Sequence, residues 1–268
     1  MWVAAVQLNS TPDLAHNLAQ ARTLIEEAAS RGAQLIALPE HFAYLGPEDK
    51  NPPSAQPLEG PLVSEFRELA RKLGVFLLLG SFPELTGPEA RPFNTSVLLS
   101  PQGEILARYR KIHLFDVDLA KGPSYRESQF IQGGTELAVV PLPSTPFTAG
   151  LAICYDLRFP ELFRALSVQK ADLLLLPAAF TLTTGRDHWE VLVRARAIEN
   201  LAYVIAPAQF GQHSPGRRSY GRSLIVDPWG LVLAQAPDGE GVIYAHLDHD
   251  RVKRLRRELP CLHHRQLK

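Results

Sequence analysis

Three side chains at the ends of apolar runs define the chemistry this chain can carry. Cys154 closes the run Gly150-Leu151-Ala152-Ile153 and leads through Tyr155-Asp156-Leu157-Arg158-Phe159 into Pro160-Glu161, where a helix is predicted. A cysteine at a strand-to-helix turn sits beside unpaired N–H groups and the positive end of the helix dipole, which favour thiolate and can hold an oxyanion. The same place also suits a small buried apolar residue. Glu40 follows an apolar run and Pro39; burial there would raise a carboxylate toward the range of a general base, while a helix cap or an exposed turn are its other uses. Lys111, in Arg108-Tyr109-Arg110-Lys111-Ile112-His113, supplies an ammonium where a hairpin strand runs into an irregular stretch, or is one member of a solvated basic run. Nucleophile, base and cation together would suit acyl transfer. Cys261 has no comparable setting and reads as structural.

The elements that must position these groups alternate from the first residue. A strand over 2–8 is followed by Thr11-Pro12-Asp13, which offers capping oxygens, and by Leu14, Leu18, Ala21, Ile25 and Ala28 at helical spacing as far as Gly32. A strand over 34–38, a helix over 61–73 closed by Gly74 and a strand over 75–81 complete a βαβαβ pattern. A hairpin over 95–99 and 104–109 turns at Pro101-Gln102-Gly103, so the sheet is mixed. Residues 111–136 lack periodicity and read as a functional loop. Strands over 137–142 and 149–153, a helix over 160–169, a strand over 172–176 and a helix over 187–201 restore the alternation. Strands over 203–208, 223–226, 232–235 and 242–245 and a helix over 250–258 end the chain. Ala33-Gln34-Leu35-Ile36-Ala37-Leu38-Pro39 echoes Ala171-Asp172-Leu173-Leu174-Leu175-Leu176-Pro177, and pseudo-symmetric halves would bring equivalent strand ends to one edge, where α/β proteins place chemistry.

Composition narrows the classes. The 268 residues carry 28 Lys+Arg against 28 Asp+Glu; this balance argues against a nucleic-acid partner, whose binding depends on cations displacing counterions from phosphates. At 46% hydrophobic and 21% charged the chain is an ordinary globular sequence. Two cysteines make no disulfide scaffold. The start Met1-Trp2-Val3-Ala4 lacks a basic signal-peptide region, and the charge-free stretch 137–155 holds Pro141, Pro143 and Pro146, so no membrane span is expected and a cytoplasmic location is. No linker divides the chain, and a single domain over 1–268 is expected.

Leu-Pro-Glu at 38–40, Arg-Lys-Ile-His-Leu-Phe-Asp at 110–116 and Cys-Tyr-Asp-Leu-Arg-Phe-Pro-Glu at 154–161 occur in an order and spacing that resemble the nitrilase superfamily of carbon-nitrogen hydrolases, from the first strand to Leu259-Pro260. The resemblance implies an α/β fold, a four-layer α-β-β-α sandwich with two mixed sheets. It implies Glu40 as general base, Lys111 as cationic stabiliser and Cys154 as nucleophile. Glu127, in Tyr125-Arg126-Glu127-Ser128, matches a second acidic residue that orients Lys111 or the entering water. The Tyr155 N–H would share the oxyanion with Lys111. No cofactor is implied, and a homodimer or larger homo-oligomer pairing through the helices near 158–169 and 187–201 is. A Cys-His dyad using His113 or His188, and a metal at His263-His264, are the rival arrangements; neither has a supporting motif.

Within the superfamily, His188-Trp189-Glu190, Arg194-Ala195-Arg196-Ala197-Ile198-Glu199 and Val226-Asp227-Pro228-Trp229-Gly230 resemble the omega-amidase and deaminated glutathione amidase branches, and 209–223, read as a loop, resembles the second, with Arg222 where that branch commonly has histidine. The implied substrate is a small-molecule 2-oxo-acid amide: deaminated glutathione, cleaved to 2-oxoglutarate and cysteinylglycine through a Cys thioester, or 2-oxoglutaramate for an omega-amidase. Arg158, Arg217, Arg218, Tyr220 and Arg222 are the candidate substrate-binding residues, the arginines offering guanidinium forks to carboxylates. A non-catalytic scaffold of the same fold is the reading from another class.

Overall fold

A computed structural model describes residues 1–47, 52–87, 90–118 and 124–267. In chain order its elements are β1 (Trp2–Gln7), α1 (Leu14–Ser30), β2 (Leu35–Ala37), α2 (Pro61–Leu73), β3 (Phe76–Glu84), β4 (Phe93–Leu99) and β5 (Ile105–Arg110). The short strands β6 (Asp116–Asp118) and β7 (Ser124–Arg126) follow, then β8 (Val139–Pro141), β9 (Thr148–Leu151), α3 (Pro160–Val168), β10 (Leu173–Leu175) and α4 (Leu182–Asn200). The chain ends with β11 (Tyr203–Ala206), β12 (Phe210–Ser214), β13 (Arg217–Tyr220), β14 (Leu224–Val226), β15 (Val232–Gln235), β16 (Gly241–His246) and α5 (His249–Glu258).

Two six-stranded sheets carry the structure, ordered β16-β1-β2-β3-β4-β5 and β8-β9-β10-β11-β14-β15. Each has three parallel strands flanked by antiparallel ones. The echo seen in the sequence falls on β2 and β10, the same position in each order, so the halves repeat a single sheet plan.

Alternation along the strands explains the layers. In the first sheet Val3, Ala5, Leu35, Ala37 and Leu78 join a core shared with Ala149, Leu151, Ile205 and Ile225 of the second. Their neighbours Ala4, Val6, Ile36, Leu77 and Leu79 face the other way, onto Ala21, Ile25 and Ala28 of α1 and Val63 and Phe66 of α2. The second sheet is covered by Leu162, Phe163 and Leu166 of α3 and Trp189, Val193 and Ala197 of α4. Side chains that alternate between two buried faces require a sheet enclosed on both sides, and the result is the expected α-β-β-α sandwich.

Local signals set the boundaries. Asp13 accepts from the His16 N–H at the start of α1, Pro61 opens α2, and Gly74 closes it with φ +66°, a left-handed cap that glycine adopts without strain. Three expectations are corrected. The helix α4 begins at Leu182 and not 187; Thr183, Thr184 and Gly185 are weak helix formers, but Gly185 packs so tightly on Tyr220 that a Cβ would lie 2.4 Å from that side chain. Residues 111–136 hold the β6–β7 ladder and a short 3-10 turn at Glu127–Gln129. Residues 209–223, read as a loop, hold the β12–β13 hairpin, whose polar run Gln212, His213, Ser214 gave no alternation to detect.

Candidate active site

The parallel strands of both sheets deliver their C-terminal ends to one edge, joined by a parallel bridge from Leu8 to Gln209. Glu40 stands just past β2 in a tightly held segment. Gly80 of β3 lies beneath it, where a Cβ would meet the Pro39 carbonyl oxygen at 2.0 Å. The next residue, His41, has φ +57° and donates its N–H to Ser81 Oγ at 3.0 Å. Gln209, fully buried after β11, donates Nε2 to the Glu40 carbonyl at 2.9 Å.

Cys154 begins a 3-10 turn, Cys154–Arg158, between β9 and α3, with φ +47°. A non-glycine residue in this region is strained and persists only where its surroundings enforce it. Here the Cys154 N–H donates to the Pro177 carbonyl beyond β10 at 2.9 Å, and Asp156, wholly buried, clamps the turn. Its carboxylate accepts from the Ile153 N–H at 2.9 Å, the Tyr109 hydroxyl at 2.7 Å and the His113 N–H at 3.1 Å, with His113 Nδ1 at 2.7 Å. Tyr109 and His113 flank Lys111, so a single carboxylate ties the cysteine turn to the lysine segment. The Tyr155 N–H finds no acceptor among the described residues.

Lys111, only 2% exposed, places Nζ 3.0 Å from Glu40 Oε1 and 2.9 Å from Glu127 Oε2. Glu127 Oε2 also accepts from the Phe115 N–H at 2.7 Å. Cys154 lines the same cavity as Glu40, near enough for each to shift the other. Burial opposes ionisation of Glu40, but the Lys111 ammonium, with His41 and the neighbouring thiol, overrides it and holds the carboxyl down to about 2. Burial and the Glu40 charge push the Cys154 thiol well above its ordinary value, and the neighbouring carboxylates keep Lys111 protonated against its own burial. These directions favour thiol, carboxylate and ammonium at rest, with ion pairing to Lys111 outweighing burial at Glu40. His41, whose Nε2 lies 3.8 Å from Glu40 Oε1, is lowered to about 4 by burial and is neutral at pH 7.

These groups line one cavity with His41, Tyr44, Phe115, Tyr125, Phe180 and Thr184. Of the candidate substrate-binding residues, Arg158, Arg217 and Arg218 line it and Tyr155 forms part of its wall. Arg158 lies over the Phe180 ring at 5.2 Å and makes a 3.2 Å contact with His188 Nδ1, and Arg217 donates to the Gly46 carbonyl at 3.3 Å. Tyr220 and Arg222 are corrections. Tyr220 packs on Gly185, and Arg222, held by a 2.8 Å ion pair to Asp238, points to another part of the surface; neither is among the cavity's lining residues. The rival dyad finds no support: His113 is tied to Asp156 and stacked on Phe159 at 3.7 Å, and His188 contacts Arg158. No metal-binding cluster, at His263-His264 or elsewhere, occurs among the described residues. Sequence reasoning missed His41, Asn94 and Gln209. His41 adjoined a quoted motif, but Asn94 and Gln209 act through contacts across the fold that no local pattern encodes.

Comparison with known proteins places this geometry. A deaminated glutathione amidase of Synechocystis sp. is 44% identical over 263 residues, covering 98% of this chain and 97% of that protein. The crystal structure of the Caenorhabditis elegans NitFhit protein superposes with a TM-score of 0.88 at 39% identity, covering 99% of this chain and 65% of that one. A glutamate-to-glutamine variant of the amidase from Nesterenkonia sp. AN1, showing Michael addition of acrylamide at its active-site cysteine, superposes with a TM-score of 0.76 at 28% identity, covering 97% and 98%. The carbon-nitrogen hydrolase family matches residues 2–257, from the first strand through nearly all of the last helix. With that extent of agreement, the chain belongs to the carbon-nitrogen hydrolase family.

Proposed function

We propose that this protein hydrolyses the amide of deaminated glutathione through a Cys154 thioester, releasing 2-oxoglutarate and cysteinylglycine. The observation that carries the mechanism is the buried Lys111 ammonium shared by Glu40 and Glu127 in the cavity that also holds Cys154. Because the thiol is pushed up and Glu40 down, forming free thiolate is uphill. Proton transfer to Glu40 accompanies attack, as the new S–C bond consumes the charge on sulfur. The carbonyl oxygen becomes an oxyanion held by Lys111 and the Tyr155 N–H. Collapse breaks the C–N bond, and the leaving amine of cysteinylglycine takes the proton from Glu40. Water then enters, Glu40 removes its proton, and the second tetrahedral adduct expels sulfur, which recovers its hydrogen. Glu127, fixed by the Phe115 N–H and Asn94, orients Lys111 throughout.

Substrate choice rests on charge at the mouth. Deaminated glutathione carries a 2-oxo acid at one end and a glycine carboxylate at the other, and the cavity is lined by Arg158 and by Arg217 with Arg218 from β13. The relative from Synechocystis bears the name of that activity. The deciding experiment compares kcat/KM for deaminated glutathione and 2-oxoglutaramate with purified protein. A preference of tenfold or more for deaminated glutathione is expected, and a preference for 2-oxoglutaramate assigns an omega-amidase instead. Cys154→Ala should abolish turnover of both, and a variant that retains it overturns the nucleophile.

The rest of the reading concerns the whole chain. That reading is one catalytic domain over 1–268, acting in the cytoplasm without a cofactor; no described helix is long and apolar enough to cross a membrane. A homodimer or larger homo-oligomer would cover Val191 and Ile198 of α4 beside Trp229 and Leu231 of the β14–β15 turn, which stand exposed. Sedimentation at micromolar concentration tests this, with a monomer as the contrary result.

A further inference from the structure

Asn94, on β4, is 1% exposed, and beyond fixing Glu127 it makes contacts that the mechanism above leaves unused. Its Nδ2 donates to Glu40 Oε1 at 3.0 Å and to Glu127 Oε1 at 3.1 Å, so its two N–H bonds serve two different carboxylates. Its carbonyl accepts from the Lys111 N–H at 2.9 Å, which fixes the start of the lysine segment. Its Oδ1 is buried without a partner among the described residues. A buried orphan acceptor is costly. Turning the amide over would place Oδ1 against two carboxylate oxygens, which is worse, so the carboxylates set its orientation.

We infer that Asn94 is a positioning residue that keeps Glu40 charged beside Glu127 around the single Lys111 ammonium. A buried and a partly buried carboxylate facing a single cation crowd negative charge, and the ordinary resolution of such a site is a shared proton. A Glu40 holding that shared proton cannot accept one from Cys154. Asn94 supplies the second set of donors without adding a charge. The groups facing Glu40 are Lys111 from the end of β5, the His41 ring from its own segment, the Cys154 thiol from the 3-10 turn and Asn94 from β4. Glu127 meets Lys111, Asn94 and the Phe115 N–H. Among the described residues, Asn94 is the neutral donor that bridges the two carboxylates.

The inference rests on Glu40 as the proton acceptor of the proposed mechanism, so its test has arms that need no turnover. In Asn94→Ala, the acid limb of kcat/KM for the amide substrate should move up by at least one pH unit, a tenfold loss on the acid side, with KM nearly unchanged and activity recovering on the alkaline side. The rate of Cys154 alkylation by iodoacetamide should show the same displacement, and Asn94→Ser, which restores one donor, should fall between. A loss by the same factor at every pH would mark a merely structural role and overturn the inference. If Asn94→Ala does not fold, carboxyl-labelled glutamate carbon NMR of Asn94→Ser and the unaltered protein decides: Glu40 ionised at pH 5 in the unaltered protein and titrating higher in the variant supports the inference, and Glu40 titrating alike in both overturns it. Should the protein hydrolyse no amide, the alkylation and NMR arms still stand, so failure of the amidase reading is distinguishable from failure of this one.

Discussion

Replacing Asp156 with alanine should damage stability and catalysis together, and the structure sets the scale. The carboxylate is wholly buried and accepts from the Ile153 N–H, the Tyr109 hydroxyl and the His113 N–H. Hydrogen bonds to a charged group contribute about 1.5–3 kcal/mol each, and donors left buried without a partner cost on the order of 1–3 kcal/mol. Some donors will find water and the terms are not additive, so a loss of about 4 kcal/mol is the working figure, in the range for stripping one partner from a buried charged network. That is a large part of the roughly 5–15 kcal/mol of a folded domain. With a urea slope of about 3 kcal/mol per molar, the unfolding midpoint should fall by more than 1 M. The catalytic effect follows from where these donors lie. Ile153 precedes the nucleophile, and Tyr109 and His113 bracket Lys111, so the two segments lose their common anchor. Displacement of reacting groups by about an ångström costs on the order of a hundredfold in rate. Urea unfolding followed by fluorescence and kcat measured well below the midpoint test both. A variant whose midpoint stays within 0.3 M, an allowance of roughly 1 kcal/mol at that slope, and whose kcat stays within about twofold would refute the anchoring argument.

Other outcomes follow from single features of the site. Gly80→Ala places a methyl group against the Pro39 carbonyl, closer than any real contact, so the Glu40 segment must move; kcat should fall by about a hundredfold with a stability loss of roughly 1–3 kcal/mol, measured by steady-state kinetics and thermal unfolding. Arg217→Ala combined with Arg218→Ala should lower kcat/KM for deaminated glutathione by roughly ten- to a hundredfold, as expected for loss of a charge-assisted contact, and leave the smaller 2-oxoglutaramate nearly unaffected. Arg222→Ala removes a pair to an exposed Asp238, so activity should hold and stability change by less than about 1 kcal/mol. Glu40 is held down to about 2, below its unfolded range, so its contribution to stability is present above the unfolded value near 4.3 and is lost as pH falls through about 2. The acid side of kcat/KM should accordingly stay flat from pH 7 down to about 5, and a limb near pH 6 would contradict the ion pairing seen around Lys111.

Much of this was legible because the chemistry sits at element ends. Cys154 and Glu40 each close an apolar run, and Gly74, Asp13 and Pro61 marked helix boundaries that the structure keeps. What stayed hidden depends on contacts between distant segments. Asp156 and Asn94 are polar residues whose burial follows from the sandwich and not from their neighbours in sequence. The first turn of α4 reads as weak helix because its stabilising partner, Tyr220, lies 35 residues away. Arg222 looked equivalent to Arg217 as one of several arginines in a loop; once that loop is a hairpin, Arg217 on β13 lines the cavity while Arg222, beyond its end and with φ +61°, turns toward Asp238.

The repeated sheet plan explains why residues more than a hundred positions apart can form one site. Glu40 follows β2, the strand third in the first sheet, and Cys154 follows β9, second in the other; both sheets send their parallel strands in the same direction, as the Leu8–Gln209 bridge requires. The matching ends therefore lie side by side across the shared core. Side-chain hydrogen bonds then cross from one half to the other: Gln209 of the second half holds the Glu40 carbonyl, and Asp156 of the second half holds Tyr109 and His113 of the first. A substitution that loosens the packing between sheets, such as Leu78→Ala on β3, should thus cost activity before it unfolds the chain. The cavity it leaves is worth roughly 2–5 kcal/mol of stability, yet the carboxylate and the sulfur, carried on opposite sheets, need only a small relative shift to lose the geometry for proton transfer. Activity falling at urea concentrations below the onset of global unfolding would bear this out, and coincident loss of both would show that the halves respond as one body.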